Sequence, residues 1–421
     1  MCRGSGRHPG MPTEWRLRAR SLRRYSKPGS MLSPKVHESF ISQLSNLRVF
    51  RPGMTVGGGS AAGSSRRPGS VLIVTWHTGG PAPPDIDFLR RSVRLQESCR
   101  KPGMRLENRI VMSSAFLTEQ WCEFFRENGF AVILRMDGPG ELHAPYPRSA
   151  DGRRACDRFL APVALLNEHK VKCTVLCTVD RLNGRFPLMV YRFFRDELGV
   201  RQVRFQPLVE RNNRDAGPSG EAMTNRSVRP HQWGFFLKDI FDEWIEHDVG
   251  QVRVMNFETF AKGPAGRSES CCELMDSCGN KLALDHHGNL YSCERFMDPG
   301  HCLGNILSSR LEDLACSERH QRFAQNKQAA LPGVCRECPF LSSCFGECPK
   351  NRFIASPHGE AGLSYLCAGY RAFFRHAGPV LEAMPEPAPR KRSAEDTAPL
   401  SGSDPLCPEA GLPGMEDTTP S

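Results

Sequence analysis

Between Cys335 and Cys348 the chain reads CRECPFLSSCFGEC, a C-x-x-C pair followed by a third cysteine after five residues and a fourth after three more. No other stretch restricts the fold so tightly. Thiolates are the ligands of metals and iron-sulfur clusters, and close spacing lets one tight loop present several of them at small ordering cost. Upstream, CCELMDSCGNKLALDHHGNLYSCERF adds Cys272, Cys278 and Cys293, and Cys367 follows in LSYLCAGY. These make eight candidate ligands, enough for two four-sulfur sites. Spacing alone leaves two occupants open, because structural zinc is also held by paired C-x-x-C units. Cys271, beside Cys272, is an alternative ligand.

The chain has 18 cysteines in 421 residues, ten of them from Cys271 to Cys348. The first thirty residues are rich in Arg, Gly and Ser and lack the apolar core of a secretory signal, so the expected compartment is the cytoplasm. Thiols stay reduced there, which favours metal ligation over disulfides. No run of about 18 apolar residues predicts a membrane span. The net charge of +10 comes largely from Arg scattered through the first hundred residues, so the expected partners include neither nucleic acid nor membrane.

Residues 1–70 are dense in Gly, Arg, Ser and Pro, without helical or strand periodicity, and read as an aberrant or disordered segment. From about 71 to 210, short β-branched runs alternate with amphipathic stretches, the signature of βα units around a parallel sheet. The candidate strands are VLIVTW, NRIVM, AVILRM, VKCTVLC and VRFQPLV. In LTEQWCEFFREN, Leu117, Trp121, Phe124 and Phe125 share a helical face. In HQWGFFLKDIFDEWIEHDV, Trp233, Phe236, Leu237, Ile240, Phe241 and Trp244 do the same, and both faces are expected in the core. Residues 384–421 are too poor in apolar side chains to fold and read as a disordered tail.

The order of the cysteines, the GNLYSCERF and LGNI segments, and GECPKNRF followed by LSYLCAGY resemble the SPASM module of anaerobic sulfatase-maturating enzymes, which are radical-SAM proteins. VTWHTGGP, LTEQWCEFFRENGF, MDGPGELH and VRFQPLVER extend the likeness over about residues 71–380. The resemblance implies an α/β fold: a partial TIM-like (βα) barrel of the radical-SAM type over residues 71–265, then a SPASM iron-sulfur module over 266–383. It implies two 4Fe-4S clusters, one on Cys272, Cys278, Cys293 and Cys348 and the other on Cys335, Cys338, Cys344 and Cys367. The family pattern favours Cys272 over Cys271 and leaves Cys302 and Cys316 as ordinary thiols. It also implies SAM as cofactor, oxidation of a cysteine or serine of a sulfatase to formylglycine, and an electron donor such as flavodoxin or ferredoxin. The acid after the third cysteine, a substrate base in the family, is here Glu294.

Several positions depart from that family. A third 4Fe-4S cluster, the one that chelates SAM, needs C-x-x-x-C-x-x-C, expected just upstream of RYSKPGSMLSPKVHESFISQ, where the chain offers only Cys2. The G-G-E-P that receives the SAM amino group is reduced to Gly79, Gly80 and Pro81. The family's T-N-G becomes Ser113, Ser114 and Ala115, and a polar position before Asp-Gly-Pro becomes Arg135. Frame-shifted reading of a GC-rich gene and true divergence would both leave this pattern. The readings that remain are a maturase, a catalytically inactive iron-sulfur homologue and a zinc module.

Overall fold

The computed structural model describes residues 14–20, 32–47, 71–77, 85–102, 104–142, 154–211, 223–261 and 271–384. Seven strands lie parallel in one sheet in the order of the chain: β1 (Glu14–Arg20), β2 (Val71–His77), β3 (Arg105–Ser113), β4 (Ala131–Arg135), β5 (Cys173–Val179), β6 (Gln202–Pro207) and β7 (Arg253–Val254). Unbroken order means that every crossover steps the same way, as in a (βα) barrel; a doubly wound sheet would reverse at a switch point. The crossovers are α1 (Pro34–Leu44), α2 (Ile86–Ser98), α3 (Glu119–Glu127), α4 (Arg154–Glu168), α5 (Pro187–Arg192) and α6 (Pro230–His247). All five strands expected from β-branched runs are present as β2 to β6.

The expectation that residues 1–70 lack ordered elements is corrected. Strand β1 hydrogen-bonds to β2, and helix α1 buries Val36, Phe40, Ile41 and Leu44. Those four side chains recur at helical spacing, and Ser33 caps the helix by accepting from Val36 N. Averaging over a window rich in Gly and Arg hides an eleven-residue amphipathic turn sequence of this kind.

After helix α7 (Met255–Ala261), the cysteine-rich segment extends the same sheet. Strand β8 (Lys281–Leu284) pairs parallel to β1, and β9 (Asn289–Tyr291) and β10 (Cys302–Asn305) follow antiparallel. The remaining elements are α8 (Leu311–Ala315), α9 (Glu318–Ala329), α10 (Gly333–Arg336), α11 (Leu341–Cys344), a short β11 (Arg352–Ile354) and β12 (Leu363–Ser364) pair, and α12 (Cys367–Ala383). No helix among the described residues is long and apolar enough to cross a membrane.

The aromatic stripes of α3 and α6 are buried as their spacing requires. Helix α12 packs on α6 through two glycines: a Cβ on Gly234 would stand 2.6 Å from the Gly369 carbonyl oxygen, and one on Gly369 would collide with that of Pro230. Backbone cannot yield as a flexible side chain does, so both positions require glycine. Because α12 begins at Cys367, this crossing also fixes that thiol. Gly369→Ala is therefore expected to lower unfolding free energy by more than about 1 kcal/mol, the lower end of overpacking costs. Gly378→Ala, on the same helix with open space around it, is the control in the same urea titration.

Candidate iron-sulfur centre

The segment leading to Cys293 is a hairpin organised by Asp285. Its buried carboxylate accepts from the backbone N–H groups of His287 and Asn289, from the Asn289 amide and from the Tyr291 hydroxyl. Gly288, at φ +88°, closes the turn. Cys272 opens a short 3-10 turn at Cys272–Leu274, and the adjacent Cys271 points into the apolar core, its Sγ 3.7 Å from the Met255 carbonyl oxygen.

Cys344 and Cys348 are only four residues apart, yet the chain between them reverses. Phe345, Gly346 and Glu347 lie in succession in the left-handed region, at φ 48°, 68° and 60°. For the two residues with a Cβ this costs on the order of 1–2 kcal/mol each. The run is held by Arg352, whose guanidinium donates to the carbonyls of Phe345 (2.7 Å), Gly346 (2.7 Å) and Glu347 (3.1 Å). The buried Glu347 carboxylate accepts from Asn351 Nδ2 at 2.8 Å and Ser364 Oγ at 2.9 Å.

The eight cysteines sort into two groups, seen in the charges that each thiol feels. Burial pushes Cys293 up to about 12, and Cys272, Glu294 and Cys278 add to it. Cys348 is raised by burial, opposed by Arg295, with Cys272 again a neighbour, and Cys278 is raised by burial, opposed by Lys327, with Cys272 close by. Burial brings Cys344 to about 12, aided by Glu347, Cys367 and Cys335. Cys367 rises to about 11 through burial, Cys335 and Cys338, against Arg371. Cys272 is thus a shared neighbour of Cys278, Cys293 and Cys348, and Cys335 is a shared neighbour of Cys344 and Cys367, with Cys338 beside Cys335 and Cys367. Cys272 differs from the rest: burial would raise it, but Lys281, Arg295 and Arg204 hold it below the ordinary thiol value.

An iron-sulfur cluster fits this donor set. Buried Lys327 donates to the carbonyls of Cys272 and Glu273 and forms no salt bridge among the described residues. A buried ammonium without a counter-charge is costly, and a thiolate-ligated cluster is an anion of the required sign. Among the described residues no three His, Cys, Asp or Glu side chains close on a single metal ion.

Glu294 follows Cys293, and its carboxylate lies 3.8 Å from Nε2 of His77; the two side chains are 18% and 11% exposed. His77 ends β2, at the carboxyl edge of the parallel strands, where barrel active sites assemble. In the sequence His77 directly follows the expected strand VLIVTW, and that place at a strand's end is the signal that marks it. At the same edge, Ser114 Oγ is buried with no hydrogen-bond partner among the described residues, and Arg135 is exposed. Gly79 and Gly80 lie outside the described residues. Cys302 is on β10 and Cys316 follows α8.

Fold and site define a class: a (βα) barrel whose sheet continues into a cysteine-rich iron-sulfur module. Residues 272–339 match the SPASM family, an iron-sulfur cluster-binding domain. The serine-type anaerobic sulfatase-maturating enzyme of Bacteroides thetaiotaomicron is 36% identical over 323 residues, spanning 74% of this chain and 77% of that one. The cysteine-type enzyme of Clostridium perfringens is 24% identical over 305 residues, spanning 72% and 80%. The solved structure of native anSMEcpe with bound AdoMet and Cp18Cys peptide superposes with a TM-score of 0.69 at 22% identity, covering 87% of this chain and 98% of that one. The chain belongs to the anaerobic sulfatase-maturating enzyme family.

Glu273 is buried and accepts from Arg204 Nη2 at 2.9 and 3.0 Å; burial works against its ionisation, but Arg204, Arg295 and Lys281 bring it down to about 2. Removing one partner of such a pair strands the other charge. Glu273→Ala should lower unfolding free energy by about 3–5 kcal/mol. Adding Arg204→Met should recover much of that loss in a double-mutant cycle; additive losses would show that the pair is not coupled.

Proposed function

We propose that this chain oxidises a cysteine or serine of a sulfatase polypeptide to formylglycine, with the catalytic barrel running from β1 to α7 and a two-cluster module at residues 266–383. One 4Fe-4S cluster would sit on Cys272, Cys278, Cys293 and Cys348, the other on Cys335, Cys338, Cys344 and Cys367. The observation that carries this reading is the sorting of those eight thiols into two groups, with Glu294 beside Cys293 and facing the carboxyl edge of the barrel strands.

SAM, when bound, would supply the radical chemistry that removes a hydrogen atom from the substrate β-carbon, and clusters held by these cysteines would supply an acceptor for the electron released. Glu294 would take the proton of the substrate hydroxyl or thiol as the carbonyl or thiocarbonyl forms; a thiocarbonyl then adds water and loses its sulfur as hydrogen sulfide to give the aldehyde. His77 keeps the carboxylate aimed into the mouth and shields it from water. Ser114 offers its unpartnered Oγ, and Gly79 and Gly80 their backbone, to SAM. An external one-electron donor, such as flavodoxin or ferredoxin, and a reducing cytoplasm complete the scheme.

A second reading is a catalytically inactive iron-sulfur homologue. It is favoured by one observation: from residue 3 to residue 98 the chain contains no cysteine, so the segment joining β1 to α1 offers no ligand for the SAM-chelating cluster.

Anaerobic reconstitution with iron and sulfide, followed by iron analysis and incubation with SAM, dithionite and serine or cysteine sulfatase peptides, separates the readings. About twelve irons per chain, 5'-deoxyadenosine and an aldehyde in the peptide support the maturase. About eight irons without SAM cleavage support the inactive homologue. Bound zinc without iron contradicts both.

A further inference from the structure

We propose that buried Lys327 makes the cluster on Cys272, Cys278, Cys293 and Cys348 the more readily reduced of the two. This rests on the two-cluster reading above. The two cysteine groups sit in unlike charge environments. At the first group, the fully buried Lys327 ammonium donates to the carbonyls of Cys272 (3.1 Å) and Glu273 (2.9 Å) and has no carboxylate partner among the described residues. Lys281 is also buried and, with Arg295, is a leading positive charge at Cys272. Arg204 contributes little net charge, because Glu273 neutralises it at 2.9 Å.

The second group has no such excess. Its cations are an exposed Arg371 and the half-buried Arg352, which it shares with Cys278 of the first group. Against them stand the exposed Glu360 near Cys335 and the buried Glu347, which lies between the groups and acts on Cys344 as well as on Cys348 and Arg295 of the first. Solvent and salt screen the exposed charges, whereas the buried ammonium acts at low dielectric.

A four-iron cluster on four thiolates is an anion, and taking up one electron adds one further negative charge without making or breaking a bond. A fixed buried cation stabilises the reduced form more than the oxidised form, so the first cluster's potential lies above the second's. Lys327 is tied to this place through its own carbonyl, which accepts from Arg352 Nη1 at 2.6 Å.

The test is an anaerobic dithionite titration of the full reconstituted chain, with EPR spectra taken at each potential. These two sites are expected to give two one-electron transitions, told apart from any other cluster by the cysteine variants below. The higher one should be missing in Cys293→Ala and retained in Cys367→Ala. Lys327→Met should move the higher transition to more negative potential and leave the lower one in place, while Lys327→Arg should restore it. The inference is overturned if the higher transition survives in Cys293→Ala, or if Lys327→Met keeps its iron and leaves both potentials unmoved. Should Lys327→Met fail to fold, the cysteine variants alone still decide which site is reduced first. A chain that takes up no iron would sink the two-cluster reading itself; a chain with two clusters reduced in the opposite order would sink this inference only.

Discussion

The guanidinium of Arg352 holds a backbone conformation that the chain would otherwise abandon. Three successive left-handed residues, two of them bearing a Cβ, are stable here because one rigid fork of donors satisfies their carbonyls. The outcome is topological. In a helix, Cys344 and Cys348 would share a face and serve one site. The reversal sends Cys344 toward Cys335 and Cys367 and sends Cys348 toward Cys272. A single short segment thus contributes a thiol to each group.

The second constraint is charge balance. Lysines and arginines converge on the first group, among them the buried Lys327, which has no carboxylate partner among the described residues. Burial meanwhile raises most of the thiols, so protons must leave when a metal-sulfide core binds. Anionic clusters answer both conditions at once. The sheet carries this arrangement to the barrel, since β8 hydrogen-bonds to β1 and leads through β9 to Cys293 and Glu294. On the opposite flank, the Gly234 and Gly369 contact seats the start of α12 and with it Cys367.

Much of this was legible in the sequence. Strands β2 to β6 are announced by β-branched runs, and α3 and α6 by aromatic stripes, because burial of one face is a local, periodic property. The eight cysteines stand out by spacing. Their division into two groups is different, since it depends on three φ angles that no periodicity encodes; only the likeness to a known family supplied it. Lys327 reads as an ordinary polar residue of an amphipathic α9, and nothing in ERHQRFAQNKQA signals that its ammonium meets no water. His77 closes an expected strand, but nothing in the sequence ties it to Glu294. Helix α1 was missed because its five buried residues are diluted by Gly and Arg on either side. The His77 pairing with Glu294 joins residues more than two hundred positions apart, and only the fold brings them within 3.8 Å.

Two iron-sulfur sites, as proposed, would share the Cys344 to Cys348 segment. A crystal structure from anaerobically reconstituted protein, with anomalous differences collected at the iron edge, tests this sharing most directly. The account predicts two separate iron peaks, one bounded by the sulfurs of Cys272, Cys278, Cys293 and Cys348 and the other by those of Cys335, Cys338, Cys344 and Cys367. A single peak, or Cys344 and Cys348 bound to the same cluster, would contradict it.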